Sequence, residues 1–368
     1  MARAQYVMIG GFLGAGKTTA MLKLGQHVVA GERRVGLITN DQSSGLADTR
    51  VLGAAGFRVE EITGGCFCCR FGSLTEAAAR LTEDAAPEVF LAEPVGSCTD
   101  LKATVSYPLR RMYGDDYRVA PFSVMVDPAR ALRVLGVEDG RRFSAKVHYV
   151  YEKQLEEADF IVINKIDTVS AERVATLRAA LEARYPRARI FEVSARTGRG
   201  LSAWFDTVLA MSDEGRSDLD IDYDDYAEGE ALLGWLNCTA RLEGEPFDGN
   251  AWLKNLASSI QTRLAESAIE IAHLKMTLTS PEAPDELAAL NLARTDALPD
   301  ASYRLQAPIG EGELIVNLRA EADPALLRDV VTASINQRPT DTAPRATIEH
   351  LEHFRPGRPV PTHRLVLG

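Results

Sequence analysis

The sequence predicts an α/β fold, a mostly parallel sheet with crossover helices, followed by a smaller C-terminal α+β domain. Three observations predict it. Seven short β-branched or apolar runs, at 6–9, 35–39, 59–62, 89–92, 123–126, 160–163 and 190–193, alternate with helical stretches, the pattern of parallel strands joined by crossovers. The first run passes directly into a glycine-rich turn that opens a helix. An acidic tract then separates this region from a second set of strands and helices.

The elements follow in order. After Ser170, the residues Val174, Leu177, Leu181 and Tyr185 recur at helical spacing, and Pro186 stops the helix, so capping chemistry supports the alternation. The first domain therefore covers 1–211. Between 212 and 230 the chain carries Asp213, Glu214, Asp218, Asp220, Asp222, Asp224, Asp225, Glu228 and Glu230 with few large aliphatics, which reads as a solvated acidic linker. The remainder, 231–368, begins with an alternating strand around 232–242 and a helix with Trp252, Leu256, Ile260 and Leu264 on one face. Strand-like runs at 269–278, 303–305 and 314–318, a helix over 324–335 and a strand at 347–351 suggest a ferredoxin-like sandwich.

The chain has 368 residues, 46% of them hydrophobic, which is enough for two cored domains. A formal charge of -11 argues against nucleic acid or an anionic membrane as a partner. The start lacks the apolar stretch of a signal peptide and no later run is long enough to span a bilayer, so a cytoplasmic location is expected. Three of five cysteines, Cys66, Cys68 and Cys69, fall within four positions. Disulfide geometry disfavours pairing among them, and in a reducing compartment such a cluster reads as metal or redox chemistry.

The run Gly11-Phe12-Leu13-Gly14-Ala15-Gly16-Lys17-Thr18, continuing to Thr19, fits a phosphate-binding P-loop. Its glycines turn backbone N–H groups toward phosphate oxygens, Lys17 reaches the β and γ phosphates, and the Thr18 hydroxyl suits magnesium. Asn164-Lys165-Ile166-Asp167 ends another apolar run. It resembles the guanine-specificity tetrad of GTPases: Asp167 can accept from guanine N1–H and the exocyclic amine, a pair that adenine does not offer. Asn164 and Lys165 brace that loop, and Ser194-Ala195, after a further strand, resembles the accessory base-contacting loop. Glu93-Pro94-Val95-Gly96 supplies a carboxylate for magnesium and a Gly96 N–H for the γ-phosphate. Asp41, after Asn40 at the end of the second run, is expected near the magnesium as a first switch or in a plain helix cap. No glutamine or arginine presents itself to position water, so intrinsic hydrolysis is expected to be slow.

The order P-loop, Gly64-Gly65-Cys66-Phe67-Cys68-Cys69, Glu-x-x-Gly and NKxD, with a C-terminal α/β module, resembles the CobW-type GTPases. The resemblance covers nearly all of the first domain and the second more loosely. It implies a P-loop GTPase domain that binds GTP/GDP with Mg2+, holds zinc, cobalt or nickel on Cys66, Cys68 and Cys69, and transfers the metal to a client metalloenzyme. Nitrile hydratase activators are similar relatives. The chemistry agrees: thiolates are soft ligands suited to zinc and related metals. In an extended segment Cys69 points away from Cys66 and Cys68, whereas a turn after Gly64-Gly65 gathers all three.

Alternatives stand beside these readings. The three cysteines also fit small buried side chains in a regulatory GTPase that reactivates a cofactor-dependent enzyme. Cys98 reads as a further thiolate or as packing, and Cys238 as core. The histidine-rich run of many relatives is absent; His350 and His353, with His363 beyond, read as surface or packing residues. The second domain is a candidate client or homodimer surface.

Overall fold

The computed structural model describes residues 3–41, 47–213, 215, 219–337 and 343–365. Gln42, Ser43 and Ser44 of the expected first switch, and Glu214 and Asp218 of the acidic tract, lie outside them. In chain order the elements are β1 (Ala4–Gly10), α1 (Lys17–Ala30), β2 (Val35–Asn40), α2 (Ala47–Ala54), β3 (Val59–Ile62), α3 (Phe71–Ala85) and β4 (Val89–Glu93). Next come a π-helical turn (Lys102–Ser106), α4 (Tyr107–Met112), β5 (Tyr117–Val119), β6 (Ser123–Val126), α5 (Pro128–Val134), α6 (Ala145–Glu156), β7 (Phe160–Ile163), α7 (Ala171–Arg184), β8 (Arg189–Glu192) and α8 (Leu201–Ala210). The rest comprises α9 (Tyr223–Leu232), β9 (Leu233–Phe247), α10 (Gly249–Glu266), β10 (Ile271–Ser280), β11 (Ala283–Leu292), β12 (Asp300–Tyr303), β13 (Ile309–Glu321), α11 (Pro324–Ile335) and β14 (Arg345–Phe354).

The chain forms two compact units, Met1–Ser44 with Ala55–Gly229 and Arg358–Gly368, and Gly45–Ala54 with Glu230–Gly357. This differs from the sequential division expected at 1–211, 212–230 and 231–368. The segment Gly45–Ala54 belongs to the second unit and the C-terminal segment to the first. The acidic tract is also not all linker: from Tyr223 onward it is the helix α9, and the Lys146 ammonium pairs with Asp225 and Glu228.

The first unit is built on one parallel sheet in the order β3-β2-β4-β1-β6-β7-β8, with β5 also pairing β1. Its inner strands are short, largely apolar runs because both faces are covered; Val7, Ile9, Leu37, Leu91, Val162 and Ile163 are fully buried. The helix α1 buries Ala20, Met21, Leu24 and Val28, one face at helical spacing. Two helices begin on capping side chains: Asp127 accepts from the Arg130 N–H before α5, and Ser170 from the Arg173 N–H before α7. The consequence for function is one of address. Parallel strands all point the same way, so the loops leaving β1, β2, β3, β4, β6, β7 and β8 converge on one sheet edge.

The second unit is an antiparallel sheet ordered β12-β11-β10-β13-β9-β14. Without the β11–β12 hairpin, the order β10-β13-β9-β14 with α10 and α11 as crossovers is the expected ferredoxin-like arrangement. Its core joins Leu256, Ile260 and Leu264 of α10 to Leu274, Val316 and Leu318 of the sheet, and Cys238 lies within it. Burial there pushes the Cys238 thiol up to about 12, the behaviour of an inert core residue. The helix α2 is held on this sheet by Asp48 to Lys275 at 2.5 Å, Arg50 to Glu313 at 2.5 Å, and the Ala47 N–H donating to Asn317 Oδ1 at 2.9 Å. Among the described residues no helix is long and apolar enough to cross a membrane.

Candidate functional site

At the sheet edge, the loop after β1 turns through Gly11, Gly14, Ala15 and Gly16 into α1. Gly16 takes φ 93°, and a Cβ there would stand 2.4 Å from Asn164 Nδ2, so only glycine fits. No side chain caps α1, which leaves its first N–H groups directed at the loop's mouth as an anion site. Lys17 and Thr18 are buried there, and Thr19 is exposed on the same turn. Glu93, the last residue of β4, brings its carboxylate to 3.2 Å from Thr18 Oγ1, which donates to it, and to 3.8 Å from Lys17 Nζ. A hydroxyl and a carboxylate side by side are hard oxygen donors, the set that magnesium takes. Three residues on, Gly96 packs so tightly that a Cβ would lie 3.0 Å from Lys17 Nζ.

The loops after β7 and β8 brace this turn. Asn164 Nδ2 donates to the Ala15 carbonyl at 2.9 Å, while its Oδ1 accepts from the Ala195 N–H at 2.9 Å. One side chain thus ties the P-loop to the loop carrying Ser194 and Ala195. Lys165, at φ 56°, donates from Nζ to the Gly14 carbonyl at 2.6 Å and pairs with Asp127 at 3.1 Å. Asp167 is exposed on a short turn (Ile166–Thr168) just past them. Ser194 is buried and accepts from the Thr197 N–H, so it shapes its own loop.

Asn40, the last residue of β2, bonds to backbone groups of the loop that follows β3. Its Nδ2 donates to the carbonyls of Ile62 and Gly65 at 3.0 and 2.8 Å, and its Oδ1 accepts from the Phe67 N–H at 2.8 Å. It is therefore the brace of the cysteine loop. The Asp41 backbone N–H continues this pairing, donating to the Ile62 carbonyl at 3.1 Å.

After Gly64-Gly65 the chain turns: the N–H groups of Cys69 and Arg70 both donate to the Cys66 carbonyl, at 3.0 and 2.9 Å. That turn gathers three sulfurs, with Cys66 to Cys68 at 2.8 Å, Cys66 to Cys69 at 3.2 Å and Cys68 to Cys69 at 3.7 Å. Tetrahedral zinc with bonds of about 2.3 Å spaces its thiolates by about 3.8 Å, so the trio needs only a small expansion to take one ion. Interaction with the Cys68, Cys69 and Cys98 thiols, in that order, holds the Cys66 thiol well below its ordinary range despite burial. Its partners move oppositely: Cys68 is pushed well above that range, and Cys69 up to about 11, each chiefly by its bond to Cys66. The trio is the only such metal-competent group among the described residues. His350 and His353 lie on β14, whereas His363 stacks edge-on against Phe71 in the first unit at 5.1 Å.

Several site residues have no signature in the sequence. Asp127 caps α5 and pairs with Lys165, and Arg130 donates from Nη1 to the Leu13 carbonyl at 2.8 Å. Gln154 on α6 donates from Nε2 to the carbonyls of Gly96 and Cys98, at 3.0 and 2.8 Å. Segment 358–365 covers the cysteine turn: the Val360 N–H donates to Cys69 Sγ at 3.3 Å, the Thr362 N–H to the Cys68 carbonyl at 2.8 Å, and Thr362 Oγ1 to the Cys69 carbonyl at 3.1 Å. Only Pro359 and Pro361 hint at an extended strap there.

The sequence is similar to known proteins. The family model described as CobW/HypB/UreG, nucleotide-binding domain, matches residues 5–192. A zinc chaperone CobW of Sinorhizobium sp is 29% identical over 201 residues, covering 49% of this chain and 56% of that protein. The zinc chaperone YeiR of Escherichia coli is 29% identical over 173 residues, covering 46% and 49%. The chain thus spans about half the length of the curated relatives it matches. Among solved structures, the hydrogenase maturation factor HypB from Archaeoglobus fulgidus is 21% identical with a TM-score of 0.40, covering 56% of this chain and 89% of that one.

Proposed function

The chain belongs to the CobW/HypB/UreG nucleotide-binding domain family, and from that footing we propose that it is a GTP-hydrolysing metallochaperone. Its cargo is a thiophilic metal, zinc before cobalt or nickel, held on Cys66, Cys68 and Cys69 for delivery to a client metalloenzyme. The observation that carries this is the trio of sulfurs at 2.8 to 3.7 Å, in a turn braced by the residue that ends β2, beside the strand that ends in Glu93. The zinc chaperones among its relatives support zinc as the first choice.

The residues divide the work as follows. The N–H groups at the start of α1 hold phosphate oxygens, and Lys17 balances their charge. Thr18 and Glu93 hold magnesium, which when bound neutralises charge developing on the phosphate oxygens. Asp167 accepts from the guanine edge, and Asn164 and Lys165 hold its loop against the P-loop through Ala15 and Gly14. Cys66, Cys68 and Cys69 lose their thiol protons as they take up the cargo. A reducing cytoplasm is the compartment in which three adjacent thiols persist.

Zinc stoichiometry of the reduced protein, loaded with a non-hydrolysable GTP analogue or with GDP, tests this. One tightly held zinc is expected in the wild type, and none in a Cys66→Ser, Cys68→Ser, Cys69→Ser triple variant that still binds guanine nucleotide. Tight zinc that survives the triple replacement, or a wild type that takes none, leaves a regulatory GTPase with structural thiols.

A further inference from the structure

Three thiolates leave a tetrahedral ion with one open position. A fourth sulfur is close by. Cys98, on the loop after β4, is 1% exposed, and its thiol is one of the groups that lower the Cys66 thiol. The Cys98 sulfur is not one of the three that lie within 4.8 Å of one another, so it must draw inward to share an ion with them.

What carries Cys98 is the point. Its loop starts at Glu93, which meets Thr18 and Lys17, and passes Gly96, whose Cα faces the Lys17 ammonium. Gln154 then ties the Gly96 and Cys98 carbonyls with one amide, and the Cys98 N–H closes a turn onto the Val95 carbonyl at 3.0 Å. A displacement of Gly96 by the terminal phosphate therefore reaches Cys98 through a turn and a shared donor, not through a slack chain. Gly96, which faces Lys17, and Cys98 are two residues apart.

We propose that Cys98 is a fourth thiolate ligand of the cargo metal, drawn in when the P-loop holds a triphosphate and withdrawn when it holds a diphosphate. The site is then closed with four sulfurs in one nucleotide state and open with three in the other, and the open position is where a client ligand enters. This rests on the metallochaperone function proposed above.

Cobalt(II) in place of zinc tests it on the full reduced chain, because the sulfur-to-cobalt charge-transfer band grows with the number of thiolates bound. With the GTP analogue, the wild type should show the four-thiolate band, and Cys98→Ser and Cys98→Ala should each lose about a quarter of it, with zinc affinity lowered roughly tenfold or more. With GDP, wild type and variants should coincide. Thermal melts report whether the variants fold, and the wild type compared between its two nucleotide states needs no variant. Equal band intensity in both states, unchanged by either replacement, overturns the role of Cys98 while leaving the three-cysteine site intact. Absence of any charge-transfer band in the wild type overturns both proposals.

Discussion

Gly16 and Asn164 are in such close contact that a methyl group at Gly16 would stand 2.4 Å from the Asn164 amide nitrogen. The backbone at Gly16 also sits at φ 93°, where an L side chain is strained. Gly16→Ala should therefore displace Asn164 from both Ala15 and Ala195 and spoil the phosphate and base loops together. Strain of about 1–3 kcal/mol corresponds to a roughly 5- to 150-fold loss of guanine-nucleotide affinity. Titration with a fluorescent GDP analogue measures it. Zinc held by the cysteines in the nucleotide-free protein should be unchanged, since none of those contacts reaches Cys66.

Asn40 supplies the converse case. Its three hydrogen bonds hold the strand end and the cysteine turn, and two of them go to Gly65 and Phe67. Asn40→Ala leaves buried backbone groups unmatched, at a cost of about 1–3 kcal/mol each at most. The turn should loosen, lowering zinc affinity about 10- to 100-fold, as loss of an outer-sphere support does. Competition with a chromophoric chelator reads the change, with nucleotide affinity as the comparison. An equal loss of both affinities would mean that Asn40 supports the whole sheet edge and not the thiol turn in particular.

How far the fold was legible follows from which forces leave a pattern. The seven runs foreseen for the parallel sheet are present because continuous apolar segments such as Phe160–Ile163 are needed wherever both sheet faces are covered. The strand β11 was missed because Ala283–Leu292 is rich in Ala and Leu, helix formers placed in a strand by tertiary pairing. In the site, the P-loop and the cysteines carry their chemistry in residue type and spacing. Asn40, Gln154 and Thr362 act by bonding to backbone carbonyls and N–H groups of distant loops, and such contacts impose no local pattern. The C-terminal segment was assigned to the second domain on continuity alone, and its return to Cys68 and Cys69 rests on hydrogen bonds that only the folded chain reveals.

Glu157 introduces a pH dependence. It is fully buried at the end of α6, accepting from Thr99 Oγ1 and the Lys102 N–H, and burial with the nearby Asp100 carboxylate pushes it from 4.5 up to about 8. The folded protein therefore keeps this proton over a range where the unfolded chain has lost it. Stability from this group is complete below about 4.5 and declines as pH rises toward 8, by about 1.4 kcal/mol per unit. Glu157→Gln keeps an acceptor for Thr99 and removes the ionisation. Melting temperatures across that range should fall less steeply for the variant than for the wild type. Parallel slopes would show that Glu157 is charged throughout.

The strap over the thiols makes the last prediction. Val360 gives an N–H to Cys69 Sγ, and Thr362 holds the carbonyls of Cys68 and Cys69, while Arg364 anchors the segment on Asp100 at 2.7 Å. Asp100 is itself buried and held by the Tyr223 hydroxyl at 2.6 Å, so the anchor is firm. An N–H donor to sulfur favours the thiolate, and a covering segment slows exchange of whatever the thiolates hold. Val360→Pro removes the donor and suits an extended backbone already flanked by Pro359 and Pro361. It should weaken zinc binding by a few-fold at neutral pH, with the deficit shrinking as pH rises and Cys69 ionises unaided. Thr362→Ala should instead speed zinc release to a chelator with little change in that pH profile, because it removes the hydroxyl bond to the Cys69 carbonyl, keeps the backbone bond to Cys68 and touches no sulfur. Stopped-flow zinc transfer at several pH values separates the two, and identical behaviour of both variants would reduce the strap to a passive cover.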